Sequence, residues 1–177
     1  MFERVLIPRR GEVVVRIART CRQLGAAAHT VVTPSVLGGG SSAVHVYACE
    51  GVHEIPVQPD GSLAVSDIVA LAESIGADAI YPGYASHGSH LELAALLEAQ
   101  EKRLVPGKLA HFQIVRDRVA LAAIADECGV RRLASSGPID DVGDLGAYAY
   151  EAGYPIALRA RLAGGGLGVV RVDDAGD

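Results

Sequence analysis

Apolar residues along the chain alternate between two spacings. Residues 4–8 (RVLIP) form a short apolar run, and over 11–24 Val13, Val14, Ile17, Cys21 and Leu24 fall on one helical face that Gly25 closes. The pattern predicts a strand followed by a helix. Residues 27–33 (AAHTVVT) are apolar and β-branched, which predicts a second strand within the length of a βαβ unit and parallel to the first. A flexible connection over 34–42 (PSVLGGGSS) leads to a third strand predicted at 53–57 and a turn at Pro59, Asp60 and Gly61. Val65, Ile68, Val69, Ala72 and Ile75 then repeat at helical spacing up to Gly76, and 78–81 reads as a strand. A Leu- and Ala-rich helix over 89–101, a short strand over 103–105 and a Pro106-Gly107 turn continue the alternation. Strands alternating with helices predict an α/β fold built on a parallel sheet covered on both faces.

The remainder follows a different rhythm. A helix is predicted from Asp117 through DRVALAAIADEC to Gly129, with its acidic residue in the first turn, and another over 144–152. Residues 155–160 read as a strand, 161–168 as a Gly-rich loop and 169–172 as a second strand. This hairpin is expected to leave at least one strand edge open after Val172, where a partner can pair.

Composition narrows the function classes. A length of 177 residues suits one domain, or one domain and part of a second. The net charge of −5, without a Lys/Arg block, argues against a nucleic-acid partner. No stretch approaches the ~20 apolar residues of a membrane span. Charges at Glu3 and Arg4 interrupt any signal-peptide core, so a cytoplasmic location is expected. Cys21, Cys49 and Cys128 are widely spaced, without a CxxC pair, and read as small buried hydrophobes. The 21 glycines exceed the usual ~7% of residues and over-supply turns and close backbone approaches.

Single motifs are weak. The first strand runs into Arg9-Arg10-Gly11-Glu12 with no GxGxxG, which excludes a dinucleotide fingerprint at that turn. Ser86 lacks the G-x-S-x-G spacing of a nucleophile elbow. His87 and His90 read as surface histidines at a helix start, and His29, His45, His53 and His111 as isolated residues, so no metal site is expected. The loop RARLAGGGLG over 159–168 suits phosphate binding, because consecutive glycines let N–H groups converge on oxygens beside flanking cations. It equally suits a plain mobile turn.

Four blocks taken in order carry more. MFERVLIPRRGEVVVRIARTCRQLG, GADAIYPGYASHGSH, VRDRVALAAIADECGV and AGYPIALRARLAGGGLGVVRV resemble the N-terminal part of biotin carboxylase, of the ATP-grasp superfamily, across essentially the whole chain. The resemblance implies a Rossmann-like pre-ATP-grasp domain over 1–110, then a linking helix and the incomplete start of the ATP-grasp lid subdomain over 111–177. The family uses ATP, magnesium and bicarbonate to form carboxyphosphate, and carboxylates biotin carried on a partner domain. By resemblance the nucleotide-binding residues are Arg118 and Arg159, standing where the family has two ATP-contacting lysines, together with Gly164, Gly165, Gly166 and Gly168. Departures accompany these matches. Arginine is larger and forked where the family has a compact ammonium. Leu162 and Ala163 replace lid glycines, and Leu167 replaces the lid arginine.

The resemblance also implies that the magnesium-binding glutamates, the bicarbonate and biotin arginines and the general base lie beyond residue 177. No catalytic or metal-ligating residue is therefore expected within the chain. The first expectation is a biotin-carboxylase-like component of a biotin-dependent acyl-CoA carboxylase assembly, non-catalytic on its own. Its expected partners are a biotin carboxyl carrier, a carboxyltransferase or a full-length biotin carboxylase. The alternatives are the N-terminal fragment of an active, ATP-binding carboxylase, and a free-standing module that binds a small ligand in the sheet crevice near Arg9, Gly83 and Tyr84.

Overall fold

The computed structural model describes residues 1–33, 43–84, 87–100, 103–105, 107–163 and 167–176. Two compact units are present, Met1–Phe112 and Gln113–Asp177.

The first unit is built on five parallel strands: β1 (Arg4–Ile7), β2 (Ala27–Val32), β3 (Gly51–Glu54), β4 (Ala79–Ile80) and β5 (Arg103–Leu104). Their order is β3-β2-β1-β4-β5. The fold is therefore α/β with a parallel sheet, as the alternating pattern predicts. Alternation along β1 divides the core: Val5 and Ile7 face one side and Leu6 the other. On the first side they meet Val14, Ala18 and Cys21 of α1 (Glu12–Gln23), together with Ala28 and Ala79. On the other, Leu6, Val31 and Ile80 meet Ile68, Val69 and Ala72 of α2 (Val65–Ser74) and Leu93, Ala94 and Leu97 of α3 (His87–Ala99).

Several elements depart from the sequence pattern. The third strand lies at Gly51–Glu54 instead of 53–57, because Pro56 has no N–H to continue a ladder. Its register pairs His29 with Gly51, where a Cβ would lie 2.2 Å from the His29 ring, so only glycine leaves room for that ring. A 3-10 helix at Ala43–Ala48 and the helix α4 (Leu109–Arg116) lie where the pattern gave no element. Leu109 and Phe112 of α4 pack against the Leu6 cluster. The 34–42 connection lies outside the described residues.

The second unit holds α5 (Arg118–Glu127), α6 (Val142–Ala152) and an antiparallel hairpin of β6 (Ile156–Arg159) and β7 (Val169–Val172). Ala149 is its only buried residue among those described. Hydrogen bonds and one ion pair join the start of α5 to the hairpin and organise the candidate site.

Candidate functional site

The site begins with the cap of α5. Asp117 precedes the helix in an extended conformation, and its Oδ1 accepts from the Val119 N–H (3.0 Å) and the Ala120 N–H (3.3 Å), two of the donors a helix start leaves unpaired. The same carboxylate takes a forked grip from Arg161, whose Nε donates to Oδ1 (3.0 Å) and whose Nη2 reaches Oδ2 (2.5 Å). Led by the Arg161 contact, these interactions hold the Asp117 carboxyl down at about 2. One acid thus starts the helix and fixes the residue that opens the loop.

Arg118 adds a second tie. Its Nε donates to the Ala160 carbonyl (3.2 Å) and its Nη2 to the Ala163 carbonyl (2.9 Å), while its backbone N–H faces the Arg161 carbonyl (3.4 Å). The loop is closed from the other side by the Ala160 N–H on the Gly168 carbonyl (2.7 Å). Gly168 has φ +63°, and a Cβ there would lie 2.8 Å from the Ala160 Cβ, so the hairpin itself requires glycine. Arg159 is exposed at the end of β6, and its side chain makes no hydrogen bond or ion pair among the described residues. Leu162 and Leu167 are exposed, and Gly164, Gly165 and Gly166 lie outside the described residues.

A family model for the N-terminal domain of biotin carboxylase matches residues 1–108. The chain belongs to the biotin carboxylase N-terminal domain family. It is 32% identical to the 2-oxoglutarate carboxylase small subunit of Hydrogenobacter thermophilus over 96% of this chain and 35% of that protein. It is 33% identical to the biotin carboxylase of Pseudomonas aeruginosa over 98% of this chain and 39% of that protein. The chain thus spans little more than a third of these relatives. Among solved structures, the biotin carboxylase domain dimer of the H. thermophilus 2-oxoglutarate carboxylase, in complex with MgADP, ADP and bicarbonate, superposes with a TM-score of 0.83 at 28% identity. That match covers 98% of this chain and 38% of that one. The Campylobacter jejuni biotin carboxylase, at 24% identity and a TM-score of 0.87, shares the fold.

Among the described residues, part of the expected nucleotide set is engaged within the chain. The Arg118 guanidinium donates to two carbonyls of its own loop, the Gly168 carbonyl accepts from the Ala160 N–H, and Arg161 is paired with Asp117. Of the two cations in the expected nucleotide set, Arg159 makes no described side-chain contact, whereas Arg118 is tied to its loop through Nε and Nη2. The ties through Asp117 and Arg161 are absent from the expected set. The aspartate just before a helix start signals a cap, but no local spacing tells that Arg161, 44 residues on, is its partner.

Elsewhere, three sequence expectations need correction. His90 is half-buried, with its ring tilted against Phe112 at 5.6 Å, because its place on α3 turns it inward. The His87 side chain lies outside the described residues. His29 and His53 are not isolated: adjacent parallel strands bring His29 Nδ1 within 2.9 Å of His53 Nε2. Their rings are within 8° of parallel, with centroids 5.2 Å apart, so the two nitrogens point at each other along one line. His45 is fully buried, its Nε2 3.3 Å from the Val31 carbonyl. Finally, Cys21 is buried and Cys49 half-buried, but Cys128 is exposed because it follows the last turn of α5. Burial pushes the Cys49 thiol up to about 11, which keeps it a thiol at neutral pH.

Proposed function

We propose that this chain is a biotin-carboxylase-like component that does not turn over ATP by itself and acts within a biotin-dependent acyl-CoA carboxylase assembly. Residues 1–110 are its Rossmann-like pre-ATP-grasp domain, and 111–177 are the linking helix and the opening of the lid. The observation that carries the reading is Arg118. The Arg118 Nε and Nη2 are directed at the Ala160 and Ala163 carbonyls of its own loop, which leaves only its remaining terminal N–H groups to meet a phosphate. Leucines at 162 and 167 add bulk on the same loop. The description of one relative as a carboxylase small subunit supports action within an assembly.

The test has two parts. Captured from its native cells and blotted for biotin, the tagged full-length protein is expected to bring down a biotinylated subunit. Assayed alone with biotin and bicarbonate, it is expected to leave ATP intact; turnover that Arg118→Ala abolishes overturns the reading. A second reading, an ATP-binding N-terminal part of an active carboxylase, is favoured by the open guanidinium of Arg159. It predicts activity when the rest of a biotin carboxylase is added, and its loss in Arg159→Ala.

A further inference from the structure

A crevice in the first unit lies at the carboxyl ends of β1, β2 and β4, where β2 flanks β1 on one side and β4, reached after β3, flanks it on the other. Such switch points are where open parallel sheets hold ligands. Its volume is about 140 Å³, below the ~300 Å³ at which drug-sized ligands begin, so it suits a group of a few heavy atoms. The polar residues lining it are Arg9, Arg10, Thr33, Ser62 and His90, and none of the described lining residues is acidic. Asp60, next to the wall, faces Ser62, whose N–H and hydroxyl it accepts at 2.9 and 2.6 Å.

Arg9 is set in advance. The Thr30 hydroxyl lies within hydrogen-bonding distance of the Ile7 and Arg9 carbonyls (3.2 and 2.9 Å), fixing the backbone at the strand end. The Arg9 Nε donates to the Pro82 carbonyl (2.7 Å), and its aliphatic stem lies against Gly83, where a Cβ would come within 2.9 Å of Cγ. No other side-chain hydrogen bond is made by Arg9 among the described residues, so its terminal N–H groups remain donors without a protein acceptor. The guanidinium is half-buried, and burial lowers its affinity for its proton. A half-buried cation with open donors calls for an anion. Tyr84, expected beside this crevice, is 82% exposed and is not among its lining residues.

We propose that this crevice binds a small oxyanion, of carboxylate or phosphate type, through the guanidiniums of Arg9 and Arg10, which both line it. The proposal is independent of the carboxylase reading and stands or falls separately from the pull-down. Isothermal titration and thermal melting of the full chain test it, with sodium phosphate in one arm and sodium acetate in the other, each matched in ionic strength with sodium chloride. Binding of either salt beyond the chloride control is expected, and the arm that binds identifies the source of the oxyanion. Arg10 is exposed and makes no described side-chain contact, so Arg10→Gln keeps the fold and is expected to weaken binding roughly tenfold. Arg9→Lys retains charge but loses the fork, with a similar loss expected. Midpoints that follow ionic strength alone in both arms, or affinities unchanged in both variants, overturn the proposal.

Discussion

The two units of this chain are held by different forces. In the first, Val5, Leu6 and Ile7 alternate into two apolar clusters on opposite faces of a parallel sheet, and Leu6 and Ile7 are fully buried. In the second, one buried alanine is accompanied by a chain of directional contacts, from the α5 start through Asp117 to Arg161 and through Arg118 to the Ala160 and Ala163 carbonyls. Apolar burial is non-directional and little affected by salt, whereas exposed ion pairs are screened and geometrically exacting. The difference teaches where each unit is fragile: the first to loss of volume, the second to loss of particular charges.

The largest effect belongs to the first unit. Leu6→Ala is expected to cost about 3 kcal/mol in urea unfolding, as for a fully buried leucine whose site cannot collapse. A loss below about 1 kcal/mol would place the core elsewhere. Gly168→Ala comes next, at about 1–2 kcal/mol from its positive φ and the Ala160 contact. Hydrogen exchange should show the loss in β6 and β7 while β1 and β2 stay protected.

Removing the charge tie is milder in energy and more telling in its conditions. The Asp117 carboxyl is held at about 2 against an ordinary 3.8, so its ionised form is favoured in the folded state. The stabilisation is complete above about pH 4 and fades as pH falls toward 2. Hairpin protection, taken relative to the intrinsic exchange rate at each pH, should fall over that window, and Arg161→Ala should flatten the fall. Salt should weaken the hairpin of the native chain in the same way.

The smallest effect is expected at the histidine pair. Burial, first, and then the mutual charge of the two rings lower His29; burial lowers His53. Arg4 on β1 also disfavours the His29 cation, and Glu50 before β3 favours it. Depressed values mean the folded state binds fewer protons than the unfolded one. Stability is therefore full above about pH 6.5 and declines below it. His53→Gln should reduce that decline in thermal melts between about pH 7 and 5, and proton resonances of the two rings should titrate below the ordinary histidine range.

Legibility in sequence followed the same division. Strands and helices of the first unit are readable because Val14 and Cys21, or Ile68, Val69 and Ala72, repeat at spacings that core burial itself imposes, whereas Leu24, expected on the same face as Val14, is exposed and the buried Ala18 is not among the residues expected there. The strand at Gly51–Glu54 was misplaced because a glycine that makes room for the His29 ring looks locally like a turn. Helix α4 left no mark in the apolar pattern because Leu109 and Phe112 are the residues it packs against the Leu6 cluster, too few for a helical stripe. At the candidate site, the helix start near Asp117 is visible in local spacing, although Asp117 precedes the helix as its cap instead of standing in its first turn. The partner of Asp117 and the carbonyls that hold Arg118 lie more than 40 residues away in sequence, and pairing at that range leaves no periodic trace.

The central claim is that Arg118 belongs to its own loop and not to a nucleotide. Titrating MgATP into the full chain, with Arg118→Ala alongside, tests it most directly. The account predicts no saturable heat for the native chain at concentrations up to about 1 mM, and a loosened hairpin in the variant. Saturable binding by the native chain that disappears in Arg118→Ala would contradict it.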